Sequence, residues 1–254
     1  MKIDELNKEI KECKRCRLSE VRTGSICGEG NLNAKIMLIA HTTGEIKNRE
    51  EGKFADTSGE VLNKLLKLAG IKRDKIYITN LVKCIFPEYR KPEEDEIKAC
   101  SYYLNKEIKL INPKILVPLG YYATRYIFQK YRLQLPSKSE FSSNYGRLFL
   151  AEDKKILPLP HPAVIISNPE FKQNLIRMYK KLKILLKDCK WYPVCPMKRF
   201  YEKGKLDKKW IELYCKGDWE SCVRYQMEEE GRFHPDWMLP DGSLNEELRK
   251  EVEG

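Results

Sequence analysis

The cysteines are the residues of this sequence best suited to chemistry, because the chain has nine of them and eight fall into two groups. The first group opens with the pair CKRC and contains Cys13, Cys16, Cys84 and Cys100. The second group contains Cys189, Cys195, Cys215 and Cys222, and Cys27 belongs to neither. In a reducing compartment such cysteines bind metal more often than they form disulfides. On spacing alone, the first group suits zinc and an iron-sulfur cluster equally well.

Three polar side chains end or interrupt predicted strands. The apolar run KIMLIA (35–40) stops at His41, Asn80 interrupts the run KIYITNLVKC, and KKILPLP stops at His161. In open α/β sheets, ligands bind beyond the carboxyl ends of the strands. We therefore expect His41, Asn80 and His161 to line one binding site.

The elements that position these residues alternate between strands and helices. Apolar runs predict buried strands, and apolar residues at helical spacing predict amphipathic helices. The predicted strands are 35–40, 75–84, 113–120 and 154–160. The predicted helices are 3–12, 58–70, 91–111, 121–131 and 168–188. This order predicts an α/β fold with a mostly parallel central sheet flanked by helices on both faces.

The composition changes after residue 188, which predicts a second, small Cys-rich domain at 189–254 beside a larger domain at 1–188. The later segment has all four tryptophans but few aliphatic residues, so it needs a staple that its four cysteines can supply. They can hold zinc or a second iron-sulfur cluster, although their spacing fits neither a standard zinc finger nor a ribbon. His234 is a candidate substitute ligand. The segment is slightly acidic, which favours a stabilising or protein-contact role with an unknown partner.

The excess of positive over negative charge is confined to the larger predicted domain. Residues 1–188 contain 36 Lys and Arg against 23 Asp and Glu, whereas residues 189–254 contain 12 against 14. A basic domain suits a polyanion such as nucleic acid, because Lys and Arg displace counterions from phosphates. The alternative is a solvated basic surface of the kind found in thermophiles.

Four stretches of the sequence together resemble the family 4 uracil-DNA glycosylases, the iron-sulfur class found in archaea and thermophilic bacteria. They are CKRCRLSEVRTGSICGEGNLNAKIMLI, GKFADTSGEVLNKLLKLAGI, YITNLVKCIFPEYRKPEEDEIKAC and HPAVIISNP. The resemblance covers about residues 7–185, in the family's order and spacing. It implies a DNA repair hydrolase that removes uracil by base excision.

The resemblance also implies roles for the first cysteine group and its neighbours. Cys13, Cys16, Cys84 and Cys100 would bind one 4Fe-4S cluster, with structural zinc as the alternative. The basic residues near it would hold the DNA backbone; they are Lys14, Arg15, Lys83 and Arg90.

The family's substrate pocket maps onto positions at the predicted strand ends. Ala40 would line the pocket, Phe54 would stack on the flipped uracil, and Asn80 would read its N3 and O4 edge. His161 would stabilise the negative charge on the departing base. The loop after it, with Ile165 and Ile166, would enter the minor groove and fill the space left by the base.

One position departs from the family pattern. The family reads Gly-Glu-Ala-Pro-Gly with a water-activating glutamate, whereas residues 40–44 here read Ala-His-Thr-Thr-Gly. In one interpretation, neutral His41 orients or deprotonates water, or attacks the sugar itself. In a second, Thr42 and Thr43 reshape the pocket for another deaminated or damaged base. In a third, the chain binds DNA without hydrolysis, or Glu45 supplies the carboxylate.

The remaining composition is that of a globular protein. Hydrophobic residues make up 42% of the chain, and no apolar run is long enough for a membrane span or a signal peptide. We expect a soluble, cytoplasmic, monomeric and monofunctional glycosylase whose partner is DNA and not a membrane. Its rival is a catalytically silent DNA-binding protein on the same scaffold.

Overall fold

A computed structural model describes residues 2–41, 57–85 and 90–253. The chain divides into two compact units, one made of 1–147 with 151–179 and the other of 148–150 with 180–254. The domain boundary between 188 and 189 stays a prediction.

Most of a six-stranded sheet belongs to the first unit, and the central strands of this sheet are buried along their whole length. Its strand order is β2-β4-β3-β6-β8-β7. The strands are β2 (Glu29–Gly30), β3 (Ile36–Ala40), β4 (Ile76–Asn80), β6 (Ile115–Pro118), β7 (Phe149–Ala151) and β8 (Lys154–Ile156). A separate two-stranded sheet joins β1 (Gly24–Ser25) to β5 (Cys84–Ile85).

Strand direction confirms the predicted fold class. Strand β3 runs parallel to both β4 and β6, and β6 runs parallel to β8, whereas β2 is antiparallel to β4. Because the central strands are parallel, their carboxyl ends meet at one edge of the sheet.

Helices flank this sheet, as the alternating pattern predicts. In the first part of the chain they are α1 (Ile3–Lys11), α2 (Leu18–Val21), α3 (Thr57–Leu68), α4 (Glu94–Ile111), α5 (Gly120–Lys130), α6 (Val164–Ser167) and α7 (Lys172–Ile184). Helix α4 begins with a capping box formed by Glu93 and Glu96 and ends at Asn112, which is left-handed. Cys100 faces the interior from this helix, because only 6% of the residue is exposed.

A buried polar network ties α4 to β4. The Glu107 carboxylate is fully buried and accepts hydrogen bonds from Lys83 Nζ at 2.5 Å and Thr79 Oγ1 at 2.7 Å. It also accepts from the backbone N–H of Gly28 at 3.1 Å and from Tyr77 Oη at 3.4 Å. Since a buried charge needs partners, this network fixes the strand that ends at Asn80 against the helix that carries Cys100.

The second unit has short helices around a small core of its own. The helices are α8 (Pro196–Glu202), α9 (Lys208–Trp210), α10 (Val223–Glu229) and α11 (Glu246–Glu253), with a π-helical turn at Ile211–Cys215. The core residues are Met197, Phe200, Leu206, Ile211, Cys215, Leu239 and Leu248. Across the ranges that the structure describes, no helix combines the length and the apolar character that crossing a membrane requires.

Candidate active site and cysteine sites

Ala40, His41 and Asn80 lie at the carboxyl ends of two adjacent strands, and His161 follows β8, two strands away from β3. Ala40, the last residue of β3, pairs in register with Asn80, the last residue of β4. The chain after β4 then turns back over β3, because the N–H of Leu81 donates to Ala40 O at 2.7 Å and that of Val82 donates to His41 O at 2.9 Å. These bonds hold Asn80 beside His41.

Asn80 is buried with an unused acceptor. Only 1% of the residue is exposed, and its Oδ1 finds no hydrogen-bond partner among the residues that the structure describes. A buried amide oxygen left without a donor costs about 1–3 kcal/mol. Such an atom is suited to receive an N–H from a ligand.

His161 is held in one tautomer. The backbone N–H of Ala163 donates to its Nδ1 at 3.3 Å, so the neutral ring carries its hydrogen on Nε2. Burial, with a smaller contribution from the neighbouring His41, lowers the pKa of His161 to about 4. At neutral pH the residue is therefore an uncharged donor.

His41 lies edge-on to His161, with 5.9 Å between the ring centroids. Burial lowers the pKa of His41 as well. Neutral imidazole has one free nitrogen acceptor, so His41 can accept a proton from water at neutral pH.

Two residues of this site were missed by the sequence prediction. The ring centroid of Tyr122 lies 5.7 Å from that of His41. Gly120 has a φ of +78°, and a Cβ there would lie 3.4 Å from His161 Cβ. Both follow β6, so the strand-end rule that selected Asn80 would have found them. Glycine suits this position because a larger residue would be strained there and would meet His161.

Several predicted residues lie outside the described ranges, namely Phe54, Thr42, Thr43 and Glu45. Ile165 and Ile166 are in α6, the short helix that follows His161. Ile166 is 53% exposed, although it is a large apolar residue. Its exposure leaves it accessible to a partner.

The first cysteine group converges from three parts of the first unit. Cys13 and Cys16 lie between α1 and α2, Cys84 begins β5, and Cys100 lies in α4. The sulfur of Cys100 accepts the backbone N–H of Lys83 at 3.1 Å. Strand pairing also places Cys84 opposite Ser25.

Electrostatics indicate that these thiols are neighbours. Burial, with smaller contributions from charge on Cys84 and Cys13, raises the pKa of Cys100 to about 12. Burial likewise raises the pKa of Cys84, with further contributions from Cys16 and Cys13, whereas Arg22 opposes it. Arg22 Nη1 lies 3.7 Å from Cys84 Sγ. A half-buried cation beside the thiols is suited to compensate the negative charge of bound thiolates.

The prediction that Lys83 contacts DNA is wrong. Only 1% of Lys83 is exposed, and its ammonium group is bound to Glu107 inside the protein. Arg90 is partly buried and forms an ion pair with Glu96. Lys14 and Arg15 are exposed, so they remain available to a polyanion.

The second cysteine group also converges, within the second unit. All four members line one cavity of about 80 Å³. The backbone N–H of Cys189 donates to Cys215 O at 2.7 Å, which joins the start of the segment to its π-helical turn. Burial raises the pKa of Cys222 to about 11, with a contribution from Cys195.

Four thiols can hold either a single metal ion or a polynuclear cluster. Tetrahedral zinc binds four thiolates with Zn–S bonds of about 2.3 Å, whereas the ligands of a polynuclear cluster bind different iron atoms. Within the described ranges, no three or more His, Cys, Asp or Glu side chains come together as ligands of one ion.

Comparison with known proteins matches most of the first unit to one family. A family model described as the uracil DNA glycosylase superfamily matches residues 27–183. A type-4 uracil-DNA glycosylase of Sulfurisphaera tokodaii is 36% identical over 194 residues, covering 76% of this chain and 88% of that protein. That of Saccharolobus solfataricus is 35% identical over 188 residues, covering 71% and 85%. That of Thermotoga maritima is 29% identical over 184 residues, covering 72% and 93%.

Proposed function

We propose that this chain, which belongs to the uracil-DNA glycosylase superfamily, hydrolyses the N-glycosidic bond of uracil in DNA at the site formed by His41, Asn80 and His161. The observation that carries the proposal is the buried Oδ1 of Asn80, which has no partner among the described residues. A flipped base enters such a pocket with its Watson–Crick edge first.

The Asn80 amide complements uracil and opposes cytosine. Uracil presents an N–H at N3 and an acceptor at O4, so Oδ1 accepts the first while Nδ2 donates to the second. Cytosine presents an acceptor at N3 and an amino group at C4, which leaves both ends of the amide facing like groups. Rejection of cytosine follows from this pairing, because mismatched buried polar groups lose their hydrogen bonds.

His161 serves the leaving group. When the glycosidic bond breaks, its electrons remain on uracil and the negative charge is shared with O2. The Nε2–H of neutral His161 donates to that oxygen, and the Ala163 N–H on Nδ1 keeps the ring oriented. Because the ring stays neutral, it stabilises the anion by hydrogen bonding without a full proton transfer.

His41 takes the water-directing role that glutamate has in the family pattern. Its lowered pKa leaves an acceptor nitrogen at neutral pH, and this nitrogen orients a water towards the sugar carbon and takes its proton. The proton then leaves through solvent.

Base extrusion depends on residues on either side of this site. Phe54 stacks on the flipped base, Ala40 lines the pocket, and the exposed Ile166 fills the gap in the duplex together with Ile165. Lys14 and Arg15 hold the phosphate backbone.

The first cysteine group holds a 4Fe-4S cluster in this proposal. Cys13, Cys16, Cys84 and Cys100 supply four thiolates, and Arg22 and the Lys83 N–H offset their charge. The cluster ties the N-terminal segment to β5 and α4, so its contribution is structural.

The activity is tested with an oligonucleotide that contains one uracil. Incubation followed by alkali should break the strand at that base, and a strand with cytosine at the same position should stay intact. Parallel strands with hypoxanthine, xanthine or mismatched thymine measure the alternative specificity. Binding without cleavage of any of these strands would contradict the proposal and support the silent DNA-binding protein.

The role of His41 is tested by two substitutions. His41→Ala should slow single-turnover uracil release by about 100-fold, the usual effect of losing a general base. His41→Glu should keep or increase the rate, because a carboxylate also accepts the proton. Equal rates in all three proteins would show that position 41 does not handle water.

A further inference from the structure

The second cysteine group lies beyond residue 183, where the superfamily match ends, and has the construction of a buried ligand site. Cys189, Cys195, Cys215 and Cys222 come from separate turns of the second unit and line one cavity. Cys215 and Cys222 are 6% and 8% exposed. Four thiols around a common space are not required by packing, because aliphatic side chains would fill it at lower cost.

Backbone N–H groups point at the sulfurs in the same way in both cysteine groups. The backbone N–H of Arg15 approaches the sulfur of Cys13 at 3.4 Å, and that of Leu18 approaches the sulfur of Cys16. In both cases the donor stands two residues after the cysteine. The second group repeats this arrangement. There Trp191 faces Cys189, and Arg224 faces Cys222. Hydrogen bonds to sulfur stabilise thiolates that are bound to metal.

A buried cation and a buried histidine complete the lining of this cavity. Arg224 is 3% exposed, and its Nη1 donates to the carbonyls of Pro235 at 2.8 Å and Met238 at 2.9 Å. Its Nε finds no hydrogen-bond partner within the described part of the chain. The side chain of His234 is 7% exposed, and its Nδ1 likewise has no partner there.

These two residues also have a clear electrostatic use. His234 Nε2 lies 3.1 Å from Glu228 Oε1, but without the geometry of a hydrogen bond. A cluster with four thiolates is a net anion, and buried N–H groups of Arg224 and His234 are suited to its sulfur atoms. The missing partners of Arg224 Nε and His234 Nδ1 within the described part of the chain are explained if the cavity is built for such an anion.

The cavity has room for a group larger than a single ion. Its volume of about 80 Å³ is several times the roughly 10–15 Å³ that one water molecule needs.

We propose that Cys189, Cys195, Cys215 and Cys222 bind a second tetranuclear iron-sulfur cluster in the C-terminal unit, with Arg224 and His234 donating to its sulfur atoms. The cluster binds to four deprotonated thiols, and it joins Cys189 to the π-helical turn and to the start of α10. It supplies the cross-link that a unit with a small hydrophobic core requires.

The test is the metal content of the full chain, purified without oxygen. Iron, acid-labile sulfide and zinc are measured per chain in the wild type, Cys215→Ser and Cys100→Ser. The wild type should contain about eight iron and eight sulfide, and each variant should lose about half. Cys27→Ser is the matched control, because Cys27 belongs to neither group, and it should keep all of the iron.

The Cys100→Ser protein separates this proposal from the assignment of the first group. Retention of about four iron atoms and visible cluster absorption in that variant supports the second site, whatever the first group binds. If Cys100→Ser does not fold, the wild type and Cys215→Ser decide. About eight iron atoms in the wild type give the same support. About four iron atoms in the wild type, all of them retained in Cys215→Ser, overturn the proposal. It is also overturned if Cys100→Ser folds without iron, or if Cys215→Ser loses zinc and no iron.

Discussion

In the proposed function, single atoms decide which base the site accepts, and the amide of Asn80 is the clearest case. Asn80→Asp replaces the Nδ2 donor by a second acceptor, which repels uracil O4. The kcat/KM for uracil should fall by at least about tenfold to a hundredfold, the cost of one buried unpaired group. Excision kinetics with uracil and cytosine substrates measure the effect, and cytosine should become the relatively better substrate.

A matched substitution at the other end of the sheet controls for this change. Asn33→Asp alters an exposed asparagine that precedes β3 and is remote from the carboxyl ends of the strands. Its kinetics should match the wild type. Equal losses in both variants would mean that Asn80 acts through stability or net charge and not through base reading.

The tautomer of His161 leads to a prediction about pH. Its pKa of about 4 in the folded protein lies below the value of about 6.5 in an unfolded chain. The neutral donor therefore persists through mild acid, and since the pKa of His41 is lowered as well, single-turnover rates should show no acid limb centred at or above about pH 6.5. An acid limb with a midpoint at or above pH 6.5 would contradict a neutral His161.

The same residue affects stability with a definite sign. As pH falls below about 6.5, the unfolded chain takes up the proton first, so the folded state loses stability until the pH approaches 4. Above pH 6.5 the residue is neutral in both states and has no such effect. Unfolding of His161→Asn at pH 5 and pH 7.5 should show a smaller difference than in the wild type.

The polar network around Glu107 is the most consequential contact between elements. Lys83→Met leaves this carboxylate buried without its cation, which should cost about 3–5 kcal/mol in the free energy of unfolding. The double variant Lys83→Met, Glu107→Gln should recover part of the loss, because no charge remains buried. Denaturant unfolding of the purified proteins measures both values.

A more exposed ion pair, which joins α4 to α1, provides the comparison. Lys106 Nζ lies 2.9 Å from Glu9 Oε2, and both side chains are accessible. Lys106→Met should shift the unfolding midpoint far less than Lys83→Met, since solvent already screens that pair. Similar shifts would show that burial of the Lys83 pair has no special energetic weight.

The sequence pattern predicted the elements well but not where this chain turns. A single strand was predicted at 75–84, whereas β4 ends at Asn80 and β5 begins at Cys84. After β4, the N–H groups of Leu81 and Val82 donate to the carbonyls of Ala40, the last residue of β3, and of His41, the residue after it. Lys83 turns inward for a partner 24 residues away. Local periodicity carries no information about either contact.

The candidate site shows the same division. The strand-end rule predicted the neighbourhood of His41, Asn80 and His161, because it depends only on strand direction. It gave no account of the Ala163 N–H that fixes the His161 tautomer, which depends on the local backbone after the strand. The roles assigned to these residues stay predictions until the kinetics are measured.

The charge distribution of the whole chain leads to a prediction about the salt dependence of DNA binding. The excess of Lys and Arg is confined to residues 1–188. Affinity for a uracil-containing duplex should fall steeply with salt, because each phosphate contact releases a counterion. Lys14→Ala should reduce the slope of log Kd against log salt by about 1, measured by fluorescence anisotropy.

The control for that prediction is an exposed lysine in the acidic segment. Lys208→Ala removes the same charge from the C-terminal unit, and its salt slope should equal that of the wild type. Iron content should be unchanged in both variants. A reduced slope in Lys208→Ala would show that this unit also contacts DNA.

Lys83 has one further consequence, which concerns how this sequence can change over generations. Its amide is bound to the Cys100 sulfur and its ammonium group to Glu107, so one residue serves two partners. A substitution of Lys83 alone produces an evolutionary intermediate in which the buried Glu107 carboxylate has lost its cation. Descendants of this chain should therefore exchange positions 83 and 107 together or keep both.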